Sequence, residues 1–167
     1  MDVTVDELAG IVDLFGGLTR TELERALSEA AFREDGGSVD EAALEDTLED
    51  ALTSFALIRY EGSDVLDGDA DDTALFVAGP TAFPSVPTAA EDLPHILDIE
   101  PRSRRLDRDV LGDQAHDRFA RDAANAIDAD DDDRIDDLLD VSYDLEAWAP
   151  VDLTPERERL DAALEAE

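Results

Sequence analysis

The sequence predicts a mainly helical protein carrying one small β-hairpin. Three observations point there. Helix-start signatures at Thr4, Thr19 and Ser38 are each followed by apolar residues at helical spacing. Two short runs, Phe55–Tyr60 and Ala74–Ala78, are rich in strand-forming residues and flank a polar stretch. Residues 107–167 then return to helical apolar stripes broken by charged or proline-containing turns.

Thr4 with Glu7 forms a capping box, and Val3 is placed to staple onto Leu8. The helix runs to about Phe15, with Leu8, Ile11, Val12 and Phe15 on one face, and Gly16-Gly17 ends it. Thr19 with Glu22 repeats the device, with Leu18 set to staple onto Leu23. Leu23, Ala26, Leu27, Ala30 and Ala31 form the second apolar face, which Gly36-Gly37 closes. Ser38 with Glu41 reads as a third box, leading Leu44, Leu48, Ala51, Leu52 and Phe55.

The period then changes. Phe55–Tyr60 and Ala74–Ala78 predict two strands joined by a long acidic tip, Glu61 to Thr73. Three helices followed by a hairpin is the element order of a winged helix-turn-helix. Residues 1–79 resemble such a module by that order alone, a likeness of fold and not of function.

Five of the seven prolines fall between Pro80 and Pro101. Phe83, Val86, Leu93, Ile96, Leu97 and Ile99 lie among them. Residues 80–106 are therefore expected to be a packed connector, with a short helical turn near Leu93 to Leu97, and not a free tether. Residues 107–167 predict a helical hairpin and a terminal helix. Leu111, Ala115, Phe119, Ala123, Ala126 and Ile127 mark the first helix, ending near Asp128. Ile135, Leu138, Leu139 and Ser142 mark the second, which stops near Trp148 before Pro150. Thr154 with Pro155 is expected to cap the last, which carries Leu160, Ala163 and Leu164.

Charge is the dominant compositional fact. Asp and Glu number 46 against 13 cationic side chains, a formal net charge of −33 over 167 residues. Every cation is Arg; there is no Lys. A hydrophobic fraction of 43% separates the chain from acidic disordered tails. Self-repulsion of this size opposes compaction in dilute buffer. In ~1 M salt the Debye length shrinks to about 3 Å and most of it disappears. Arg in place of Lys fits the same solvent, because a guanidinium is weakly hydrated and grips carboxylates in a fork. With no Cys, disulfides, thiolate metal sites and thiol catalysis are excluded. No apolar run approaches ~20 residues, and the start Met-Asp-Val-Thr-Val-Asp lacks a basic and apolar leader. A soluble cytoplasmic protein without membrane association is expected.

Motifs of defined chemistry are few. The third helix of a winged helix ordinarily enters the DNA major groove. Here it carries Asp40, Glu41, Glu45, Asp46, Glu49 and Asp50, with no Arg between Arg33 and Arg59. Phosphate binding depends on cations, so DNA binding through this surface is disfavoured. Arg102, Arg104, Arg105 and Arg108 are the one cationic concentration, a candidate site for a partner or anion; pairing with Glu100, Asp107 and Asp109 is the simpler reading. Trp148 is a candidate partner anchor, with core packing the more ordinary role.

Asp67–Asp72 and Asp128–Asp133 echo the start of a calcium loop. Both lack the required Gly at position six, where Asp72 and Asp133 stand, and Glu at position twelve, where Ala78 and Leu139 stand. Asp113 and His116 share a helical face, but the second pair that a di-metal bundle needs is missing. His95 lies in a different setting, and no glycine-rich phosphate loop occurs. No cofactor, metal or catalytic set is predicted, and the chain reads as a non-enzyme.

Residues 6–20 (Asp-Glu-Leu-Ala-Gly-Ile-Val-Asp-Leu-Phe-Gly-Gly-Leu-Thr-Arg), 90–98 (Ala-Glu-Asp-Leu-Pro-His-Ile-Leu-Asp) and 138–153 (Leu-Leu-Asp-Val-Ser-Tyr-Asp-Leu-Glu-Ala-Trp-Ala-Pro-Val-Asp-Leu) resemble an uncharacterised family of small acidic haloarchaeal proteins. The resemblance spans nearly the whole chain and implies habitat alone. The function expected is a protein-interaction or adaptor role, with a protein partner or a homodimer. A DNA-binding transcriptional regulator is the alternative.

Overall fold

Local caps set the ends of the first two helices. In the computed structural model, which describes residues 3–61, 74–97 and 108–166, Thr4 starts α1 (Val5–Phe15) and Thr19 starts α2 (Arg20–Asp35). Both capping boxes form: Thr4 Oγ1 accepts from Glu7 N at 3.1 Å and Thr19 Oγ1 from Glu22 N at 3.2 Å, each glutamate reaching back to the cap N–H. Gly16 and Gly36 end these helices at φ 78° and 69°, a backbone region that glycine enters without a Cβ penalty.

The third start differs from expectation. α3 spans Glu41–Thr53, and its cap is Asp40, whose Oδ1 accepts from Ala42 N at 3.0 Å; Ser38 lies two residues outside. Asp caps as well as Ser. Starting at Asp40 also puts Val39 at the position before the cap and Leu44 at the fourth helical position, the pair that forms a hydrophobic staple. Val39 packs against the core that holds Leu44.

β1 (Leu57–Glu61) and β2 (Ala74–Ala78) pair antiparallel, with Leu57 opposite Ala78 and Tyr60 opposite Leu75. The strand thus begins two residues later than Phe55, which terminates α3 instead. Ala56 N donates to Ala51 O at 2.9 Å and Phe55 N to Leu52 O at 3.2 Å, with Phe55 at φ 65°. This is a Schellman closure with phenylalanine in the place glycine usually holds. The ring is fully buried, so packing outweighs the local backbone penalty. Leu18, between α1 and α2, exchanges hydrogen bonds with Phe76 at 3.1 and 2.8 Å and ties that link to β2.

The chain divides into two compact units, Met1–Arg105 and Leu106–Glu167. In the first, α1 is the central helix. Leu8, Ile11, Val12 and Phe15 are fully buried in one cluster with Leu23 and Leu27 of α2, Leu44 and Leu48 of α3, and Leu57 and Phe76 of the hairpin. Each such side chain contributes about 1.5–3 kcal/mol relative to exposure. The proline-rich segment joins this core. Ala90, in a 3₁₀ turn (Thr88–Ala90), and Leu93, in α4 (Leu93–Ile96), are fully buried members of it, and Ala82, Val86 and Leu97 pack against the same core. Ser85 N donates to Asp6 O at 3.0 Å. That approach requires Gly10, where a Cβ would stand 2.3 Å from Ser85 O. Phe83 departs from the expected packing and is 79% exposed.

The second unit is a helical hairpin, α5 (Arg108–Asp128) and α6 (Asp132–Trp148), followed by α7 (Thr154–Glu165). Leu111, Ala115, Phe119, Ala123 and Ala126 meet Ile135, Leu138, Val141 and Leu145 in its buried interior. The acidic turn between α5 and α6 serves local geometry. Asp130 takes φ 52°, Asp131 N donates to Ala126 O at 3.0 Å, and Asp131 Oδ1 caps α6 by accepting from Arg134 N at 3.1 Å. Asp122 on α5 joins the helices, meeting Arg134 of α6 at 3.3 Å and Arg118 at 3.8 Å.

α7 begins at Thr154, so Thr154 is its first residue and not its cap. Leu153 holds the cap position without a side-chain bond, and Asp152, one residue before it, satisfies the first helical N–H, its Oδ1 accepting from Thr154 N at 3.0 Å and Oγ1 at 2.7 Å. Those two bonds hold the Asp152 carboxyl below the usual carboxylate range.

Candidate functional site

Of the residues singled out from sequence, Arg102, Arg104 and Arg105 lie outside the described residues, as do Asp67 to Asp72. Arg108 opens α5, and its side chain is likewise outside them. Trp148 is the last residue of α6 and is half-buried. The solvent face of α3 carries Glu41, Glu45, Asp46, Glu49 and Asp50, all exposed. Arg20, one helix earlier, bridges to it: its guanidinium pairs with Glu45 and, at 3.0 Å, with Glu24.

Two arrangements in the second unit escaped the sequence reading, because each joins separate helices. The first centres on Arg157 of α7. It donates to Glu146 Oε1 on α6 at 2.5 Å and to Ser142 Oγ at 3.4 Å, and stacks 4.6 Å from the centre of the Tyr143 ring. The other Glu146 oxygen accepts from Leu153 N at 2.9 Å. Arg157 first, then the Leu153 N–H, hold the Glu146 carboxyl below its ordinary range. The cluster clamps the α6–α7 link.

The second is Glu156, one residue before. It is a carboxylate four positions ahead of buried Leu160, on the apolar stripe of α7, and that break in the stripe was its only sequence signal. Glu156 is 8% exposed. Its Oε1 lies 3.0 Å from Nε2 of His116 on α5, which donates when the ring carries its proton there. His116 is therefore not merely solvated. Oε2 is buried and without a hydrogen-bond partner among the described residues. A buried acceptor left so costs about 1–3 kcal/mol.

Glu156 also lines a hollow of about 200 Å³ between α5 and α7. Ala123, Ala124 and Ile127 form its apolar wall, and Asp128, Glu156 and Arg159 supply charge. His116 touches Glu156 but is not among the lining residues. Among the described residues no group of three or more His, Asp or Glu is placed to hold a metal ion, and no helix is long and apolar enough to cross a membrane.

These features define a mainly helical protein with one two-stranded antiparallel hairpin, built as an α1–α2–α3–β1–β2 unit followed by a helical unit. The chain belongs to a family of unknown function, DUF7109, whose match covers residues 6–165. No curated protein and no solved structure matches it.

Proposed function

We propose that this chain is a non-enzymatic interaction protein of a haloarchaeal cytosol, and that the exposed face of α3 docks an arginine-bearing protein surface. One observation carries the reading: Glu41, Glu45, Asp46, Glu49 and Asp50 all stand exposed on that face, and Arg20 already engages it through Glu45. A phosphate backbone offers such a face only repulsion, and salt screens repulsion without adding attraction. A partner's guanidinium forks match carboxylates directly. The habitat rests on the net charge of −33, the absence of Lys and the 43% hydrophobic content.

Co-purification of the full chain in molar potassium chloride tests the role. A reproducible protein partner, released by Glu45→Arg with Glu49→Arg, is the expected result. A strictly monomeric chain with no partner overturns it. Specific DNA binding at high potassium chloride, abolished by Arg104→Glu with Arg105→Glu, would install the regulator reading instead.

A further inference from the structure

The solvent side of α2 carries a stripe without acid. Thr21, Arg25, Ser28 and Phe32 follow one another at helical steps, so they stand in line along the helix, and all are exposed. No carboxylate interrupts that line, in a chain with 46 acidic residues against 13 cations. The acids that flank it are already held, Glu24 by Arg20 at 3.0 Å and Glu29 by Arg33 at 3.6 Å. Glu22 serves the cap, accepting from Thr19 N. Glu34 lies round the helix, on the line of Leu27 and Ala30. Arg25 makes no ion pair among the described residues. Phe32 is 66% exposed.

One exposed phenylalanine is ordinary; its alignment with a spare guanidinium is not. A particle of net charge −33 repels its own copies. Two copies meeting through α3 would set Glu45, Asp46 and Glu49 against the same carboxylates. The α2 stripe lets them approach without that opposition. It is also self-complementary. Arg25 and Phe32 lie two turns apart with the small side chain of Ser28 between them. When two such helices cross antiparallel about a two-fold axis near Ser28, each Arg25 comes opposite Phe32 of the other copy. A guanidinium over a phenylalanine face is attracted by the ring, more strongly once water is excluded. A foreign partner would have to bring an aromatic ring for Arg25 and a cation for Phe32 at matching spacing; a second copy brings both. We propose that two copies of this chain pair antiparallel through α2, each Arg25 stacking on Phe32 of the other.

A contact along about three helical turns belongs to the small class of interfaces, below about 1,200 Å² in total, so the dimer is weak, with a Kd on the order of 100 μM. Salt strengthens it, because screening removes the repulsion between copies while the apolar contact persists. An interface of exposed ion pairs would respond in the opposite sense. The α2 pairing stands apart from the α3 face and does not depend on the role proposed for it.

The test is sedimentation equilibrium of the full chain at concentrations from about 10 to about 500 μM, which bracket that Kd, in potassium chloride of about 0.15 M and about 1 M. A monomer–dimer equilibrium that tightens with salt is expected. Arg25→Glu sets a carboxylate against the ring and Phe32→Arg sets arginine against arginine; each should weaken association about tenfold or more. Mixed in equal amounts, the two variants should associate again, because the new acid meets the new cation while the other Arg25–Phe32 contact of the pair is intact. Both positions are exposed, and circular dichroism with thermal melting should show the fold unchanged. Phe83→Ala, which removes a phenylalanine that is 79% exposed, and Glu49→Arg on α3 should leave association unaltered. A chain that stays monomeric throughout overturns the proposal, even if another protein is captured through Phe32. So does association that Phe32→Arg leaves intact, that Glu49→Arg removes, or that the mixture of variants fails to restore.

Discussion

Arg157 on α7 donates to Glu146 on α6 at 2.5 Å, and the same carboxylate accepts the Leu153 N–H at 2.9 Å. One side chain thereby closes the link between two helices and fixes where the second begins. Because Glu146 titrates below its ordinary range in the folded protein, it releases its proton more readily there than in the unfolded chain. Its contribution is present above the unfolded carboxylate pKa, about 4.3, and is lost as pH falls through the lower folded value. Arg157→Met should cost about 1 kcal/mol near pH 7, from the ion pair and the Tyr143 stack together. The gap between parent and variant should narrow under acid. Urea unfolding in molar potassium chloride at neutral and acid pH measures this, and a gap of constant size would show that the pair is not its source.

Phe55 predicts an inversion of the usual alanine–glycine order. Its ring is fully buried and its backbone sits at φ 65°. Removing the ring should cost about 3–5 kcal/mol. Alanine keeps the left-handed penalty, roughly 1–2 kcal/mol, whereas glycine escapes it. Phe55→Gly should therefore unfold at higher urea than Phe55→Ala, opposite to the order inside a helix. The two midpoints, compared directly, decide it.

At Gly10 helix propensity and packing disagree. Alanine would improve an isolated helix by about 1 kcal/mol. Its Cβ, however, would lie 2.3 Å from Ser85 O, and backbone cannot swing aside as a side chain can. Packing should win, with Gly10→Ala net destabilising by about 1–3 kcal/mol. Hydrogen exchange should show the Ser85 N–H, bonded to Asp6 O, opening first. Unchanged protection at Ser85 with raised stability would show that this contact is not limiting.

Salt should act on the whole molecule. With a net charge of −33, raising potassium chloride from about 0.15 M to about 1 M shortens the Debye length from about 8 to about 3 Å. The melting temperature should climb by roughly 5–10 °C as self-repulsion is screened. A flat profile would contradict the adaptation to salt argued from composition.

Much of the fold was legible because its signals are local. Thr4 and Thr19 each meet a glutamate three residues on, so both caps close within one turn and need nothing else. Ala74–Ala78 forms a strand over the residues its β-forming run predicted. The candidate site was barely legible. Glu156 and His116 are 40 residues apart, and only the packing of α7 on α5 brings them to 3.0 Å. The hollow beside them owes its wall to alanines that read in sequence as ordinary helix positions.

By itself the sequence determined the helical class, the hairpin, most element ends and the acidic surface. All of these follow from residues within a turn of one another or from composition. Tertiary structure decided the ends where two local signals competed. Asp40 prevailed over Ser38 where Val39 packs against the core, and Phe55 left its strand because burying its ring outweighs an unfavourable φ. It also decided which charges are left unmatched. Pairing depends on distances between helices, and a linear chain does not encode those until its apolar faces have met.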